Sequence, residues 1–113
     1  MVKEYSEKIL SDMETKDLGR LYIDVFQHMQ EIKYLQSAKL PEKQEEELEA
    51  ESKLEMITTE LKLRDFNERK DIMRIIQGIL RNVKSRNDAR DYNPKQEYIA
   101  AAMLHHFGSN ILD

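Results

Sequence analysis

The chain has 113 residues, 18 of them Lys or Arg and 22 Asp or Glu, for a formal charge of −4. That length predicts a single domain over 1–113, and the acidic balance argues against a dedicated nucleic-acid binder. The absence of cysteine excludes disulfides, Cys-based zinc sites and thiol catalysis, and the three Gly, two Pro and 35% charged residues predict an all-α fold, an elongated helical bundle of about four helices.

The opening stretch "MVKEYSEKIL" lacks the apolar run of a secretory leader. No segment approaches the roughly 20 apolar residues that span a bilayer, so a cytoplasmic chain with no membrane partner is expected. A first short helix is predicted from about Val2 to Met13, with Val2, Tyr5, Ile9 and Met13 at helical spacing. Thr15 and Asp17 then offer N-caps for a second helix. Leu18, Leu21, Tyr22, Val25, Met29 and Ile32 form its apolar stripe. It should end near Ala38, since Pro41 disfavours helix at the residue before it.

Pro41 suits the first turn of a third helix. Between Glu42 and Glu60 lie eight acidic residues and two basic ones, which predicts a solvated, weakly packed ramp. From Leu54 the apolar stripe strengthens through Ile57, Leu61, Ile72, Ile75 or Ile76, Ile79 and Val83. A second line runs through Leu63, Phe66, Met73 and Leu80. The pattern reads as one long central helix contacted from two sides, packed antiparallel to the second helix. Gly78 lies inside it and would permit close helix approach. A polar connector, "KSRNDARDYN", precedes a last helix with Asn93 at the N-cap, Pro94 at N1, Gln96 at N3 and Gly108 at C′. Ala100, Ala101 and Ala102 give it a thin face. "SNILD" is then expected to leave the helix with Ile111 and Leu112 exposed.

Four constellations bear on chemistry. His105 and His106 are adjacent and point about 100° apart on a helix, whereas two zinc ligands on one helix sit three or four residues apart. With His28 remote in sequence, no metal site is expected. The carboxylates form an E-x-x-E pair, Glu46 and Glu49, and an E-x-x-D pair, Glu68 and Asp71. Paired carboxylates on antiparallel helices can hold Mg²⁺ for nucleotide pyrophosphate hydrolysis, and this pattern resembles the MazG-like all-α pyrophosphatases. Arg69 and Lys70 stand between the second pair, and so acidic a segment produces E-x-x-E by composition alone, so a solvated acidic face is the simpler reading. Between Leu61 and Arg90, nine residues are basic and four acidic, whereas residues 42–60 carry −6. This split creates a local positive field. Phosphate contact is one reading and a helix exterior laced with i, i+4 ion pairs the other. The like-charged pair Lys70 and Arg74 hints at an acidic group opposite. No nucleophile triad or Gly-rich phosphate loop is present.

The order of these elements carries a family resemblance. "VKEYSEKIL", "LGRLYIDVFQHMQEIKYL", the acidic ramp, "LEMITTELKLRDFNERKDIMRIIQGIL" and "NPKQEYIAAAMLHHF" together resemble the α-helical domain of an archaeal GINS subunit. Arg69, Lys70 and Ile72 match the Arg…Lys-Ile region of that family's long helix. The resemblance implies a non-enzymatic scaffold without a cofactor. It also implies assembly with itself or with related helical subunits as a dimer or tetramer, and a bridging role between the MCM helicase and a RecJ-like protein at the chromosome. Direct nucleic-acid binding would be weak or absent. The family's small β domain would be reached by a linker starting near residue 108. Phe66, Arg69, Lys70, Met73, Arg74, Leu80 and Arg81 would form the partner interface. The alternatives are the pyrophosphatase and a generic helical oligomerising adaptor.

Overall fold

Apolar residues at helical spacing, with Gly and Pro scarce, leave the backbone few reasons to depart from helix. The computed structural model describes residues 7–34, 41–88 and 94–112. Among the described residues five α-helices follow in order: α1 Glu7–Asp12, α2 Thr15–Tyr34, α3 Pro41–Lys62, α4 Phe66–Asp88 and α5 Pro94–Phe107. A π-helical turn, Gly108–Leu112, follows α5. No strand occurs among the described residues, as the all-α reading expects. The contacts gather in two compact units, Met1–Arg64 and Asp65–Asp113. The predicted helix before Glu7, the last turn toward Ala38, the Asn93 cap and residues 89–93 of the polar connector lie outside the described residues. The connector's first half, residues 84–88, is corrected to helix, the last turns of α4.

In the first unit, α2 and α3 close a core on each other. Leu18, Tyr22, Val25, Phe26, Met29 and Ile32 of α2 are buried, as are Ala50, Leu54, Ile57 and Leu61 of α3. Each such aliphatic side chain contributes roughly 1.5–3 kcal/mol relative to exposure. The two helices run antiparallel, as expected. Arg64, just past the end of α3, meets Thr15 at the start of α2, and Glu46 in the first half of α3 meets His28 in the second half of α2. The acidic ramp is helical throughout, with Glu45, Glu49 and Glu51 exposed. One capping expectation is corrected: the Glu14 carbonyl accepts the first bond of α2, from the Leu18 amide at 3.0 Å. Thr15 therefore begins the helix and does not cap it, and its side chain is buried.

The expected long central helix is two helices. Leu63 N–H donates to the Glu60 carbonyl and Arg64 N–H to that of Leu61, which tightens the end of α3. Asp65 then opens α4. Its carbonyl accepts the Arg69 amide at 3.0 Å, and its side chain accepts the Asn67 amide at 3.2 Å. This is an N-cap, and Asp65 with Glu68 three positions later is its start signal.

In the second unit, α5 buries Ile99, Ala100, Met103 and Phe107, and α4 buries Ile72 and Ile76. Gly108 does not end α5 in the left-handed conformation, since no glycine among the described residues has positive φ. The chain continues into the π turn, where Asn110 Nδ2 donates to the His106 carbonyl at 3.0 Å. A Cβ at position 108 would stand 3.2 Å from Met73 Cε, so glycine there permits a close approach of that side chain. Ile111 is buried and Leu112 half-buried. The expected exposed exit of "SNILD" is thus a packed turn.

Candidate interaction face on helix α4

Helix α4 has 23 residues and α5 has 14. At 1.5 Å per residue these are about 35 Å and about 21 Å long. A helix that short cannot cover α4 from end to end. The burial follows: the first half of α4 holds the buried Ile72 and Ile76, while from Gln77 to Arg86 no side chain is buried. Ile79, Leu80 and Val83 are half-buried, and Ile75 is 43% exposed. Ile75, Ile79 and Val83 recur at i, i+4 and i+8, so they share one side of the helix. Gly78 meets no atom within 4 Å of a built Cβ, so the expected close helix approach at this glycine is absent.

The seven residues expected at an interface fall into different surroundings. Phe66 is 48% exposed. The Arg69 guanidinium carbon and the Lys70 ammonium lie 5.6 and 5.5 Å from its ring centroid, both at cation–π distance. Arg74 Nη1 donates to Asp71 Oδ1 at 3.4 Å on the exposed side. Lys70 and Arg74 thus each have a local attraction, and their like charge requires no acidic group opposite. Arg69 is half-buried, and its Nη1 donates to the Ile111 carbonyl in the π turn, while its Nε is buried without a partner. Met73 lies against Gly108. Arg69 and Met73 therefore act within their own unit, tying the end of the chain to α4. Leu80 and Arg81 sit in the open second half, half-buried and exposed respectively.

The carboxylates expected of a Mg²⁺ site are engaged elsewhere. Glu46 Oε1 lies 3.0 Å from His28 Nε2, Glu49 lies 3.6 Å from Lys53, and Asp71 holds Arg74. No group of three His, Cys, Asp or Glu suited to a metal ion occurs among the described residues. His105 is exposed and His106 half-buried. An open groove of about 570 Å³ in the first unit runs along α1 and α3 past Lys8, Ser11, Glu55, Met56, Thr59 and Leu63. Burial of the Tyr22 phenol pushes its pKa well above the ordinary tyrosine range, which reflects a core position.

Arg64 is the residue that sequence reasoning passed over as one charge among nine. Its Nη1 donates to the Met13 carbonyl at 2.7 Å, and its Nη2 donates to the Leu10 and Ser11 carbonyls at 2.8 and 3.3 Å. Glu60 Oε1 holds the same fork at 3.2 Å. The guanidinium thus satisfies the open carbonyls at the end of α1, a helix too short to hold itself. The sequence signal, an arginine four residues after a glutamate at a helix end, is too common to single it out.

No helix among the described residues is long and apolar enough to cross a membrane. Comparison with known protein families, curated proteins and solved structures finds no match for this chain.

Proposed function

We propose that this chain is a non-enzymatic interaction subunit, and that the second half of α4 is where a partner helix packs. The observation that carries the reading is the unfinished apolar stripe: Ile75, Ile79, Leu80 and Val83 sit at helical spacing, and none is buried. Half-covered aliphatic side chains in a row lose water contact when another helix lies along them, at roughly 25 cal/mol per Å² of apolar area. Nothing in this reading calls for a cofactor. In its most specific form the partner is a related helical subunit, and the chain serves as a GINS-type replication scaffold, bridging MCM helicase and a RecJ-like protein at the chromosome. That form is supported by helix order. The break at Leu63–Asp65 departs from the single long helix of the resemblance.

Light scattering after size exclusion, over a concentration series, tests the reading. The chain should form a dimer or tetramer, and Ile79→Ser/Val83→Ser should return it to monomer while its helical signal persists. A wild-type mass that stays monomeric, in the absence and in the presence of purified MCM and RecJ-like proteins, would sink the proposal. Assembly without binding to either protein would retain the interaction subunit and remove its GINS-type form. A Mg²⁺-dependent release of pyrophosphate from nucleoside triphosphates, lost in Glu68→Gln, would replace it with the enzyme reading.

A further inference from the structure

The side of α4 away from its buried residues carries a different pattern. Lys70, Arg74, Gln77, Arg81, Lys84 and Ser85 are all exposed. At about 100° per residue they share an arc of roughly 100°, and Lys70 and Lys84 stand about 21 Å apart along the axis. Every side chain on this arc from Lys70 to Ser85 can donate a hydrogen bond, and none is apolar or aromatic. Among the described residues the acid that meets this row is Asp71, 3.4 Å from Arg74, in a pair whose two side chains are about 70% exposed. Such a pair is weak and exchanges readily for another anion. Asp88 stands at the C-terminal end of the same arc.

We propose that this arc binds the sugar–phosphate backbone of a nucleic-acid duplex. Its composition decides between anionic partners. A protein interface has an apolar centre and is depleted in lysine, and the arc offers no apolar centre. Contacts to phosphate and sugar come from Arg, Lys, Ser and Gln side chains, which are the residue types present. Recognition of single strands relies on aromatic side chains for base stacking, and from Lys70 onward the arc has none. A row of donors about 21 Å long spans several phosphates of one strand, since each strand of duplex DNA carries one charge per roughly 3.4 Å of axis. With four cations and no base-reading element, binding is independent of sequence, weak and sensitive to salt. The net charge of the chain does not oppose it, because residues 65–113 carry eight basic and seven acidic residues, while residues 1–64 carry ten and fifteen.

Fluorescence anisotropy of a labelled duplex of about 20 base pairs, titrated with the full chain between about 50 and 200 mM salt, tests this. Affinity should fall about 100-fold over that range, with a log–log slope near −4. Arg81→Gln/Lys84→Gln should weaken low-salt binding by about tenfold and halve the slope. Lys16→Gln/Lys62→Gln, which removes exposed cations from α2 and α3, should change neither. The proposal is overturned if the wild-type chain fails to bind at the lowest salt. It is equally overturned if the α4 variant keeps its slope, or if the two double variants weaken binding alike, since the polymer would then be responding to diffuse charge.

Discussion

The two units use the same ingredient, an amphipathic helix pair, and finish it differently. In residues 1–64, α2 and α3 have 20 and 22 residues. Helices of matched length cover one another, and their stripes close from Leu18 to Ile32 and from Ala50 to Leu61. In residues 65–113, α4 exceeds α5 by nine residues, 23 against 14. The stripe of α4 has the same period, but its second half is left half-covered. Period predicts that a face is apolar; the length of the facing helix decides whether that face is core or surface.

The sharpest way to break this comparison is within α4 itself. Ile76 is fully buried and Ile79, three residues on, is not. Ile76→Ala should lower the unfolding free energy by about 2–5 kcal/mol, as should Ile57→Ala in the first unit, because each leaves a cavity. Ile79→Ala should cost about 1 kcal/mol or less in the dilute chain, where little packing is lost. Equal costs at Ile76 and Ile79 in urea denaturation would mean that the second half of α4 is core after all.

Arg64→Met comes next, at about 1–3 kcal/mol, since it strands the carbonyls of Leu10 and Met13 while keeping most of the side-chain volume. Arg64→Lys should recover little, because one ammonium cannot reproduce a fork that reaches several carbonyls. Full recovery by lysine would show that charge alone matters there.

The Tyr22 phenol gives a pH test confined to the first unit. Burial raises its folded-state pKa above the unfolded value of about 10. A raised folded-state pKa means that the stability is fully present below pH 10 and is lost as pH rises above it. Its contribution to the slope is up to about 1.4 kcal/mol per pH unit. Tyr22→Phe should therefore flatten the alkaline limb of the stability curve relative to wild type, and an identical limb would show that the phenol is accessible in the folded chain. The smallest effect expected is that of Arg74→Ala, within about 0.5 kcal/mol, since its pair with Asp71 is open to solvent.

Much of the helical content was legible because Leu18–Ile32 and Leu54–Leu61 hold one period without interruption. The break before α4 was legible too, in Asp65 and Glu68, a capping residue followed three positions later by a glutamate. It was overridden because the apolar residues on either side keep nearly the same phase across the gap. The π turn was not readable. Gly108 carries the usual mark of a helix end, and what keeps the chain winding there, Met73 against Gly108 and Arg69 on the Ile111 carbonyl, are tertiary contacts over more than thirty residues. The same limit hid Arg64, whose partners lie some fifty residues earlier. Spacing put Leu80 in one set with Arg69 and Met73, which face the π turn, and with Arg81, which stands on the exposed arc of α4, and it could not separate them.

The measurement that tests the central claim most directly is hydrogen–deuterium exchange followed at low and high protein concentration. Amides between Gln77 and Arg86 should exchange quickly in the dilute chain and slow as concentration rises through the assembly range, while those between Leu54 and Leu61 remain protected throughout. Protection of Gln77–Arg86 that is already complete in the dilute monomer, or assembly that slows exchange elsewhere and leaves this segment unchanged, would contradict the account.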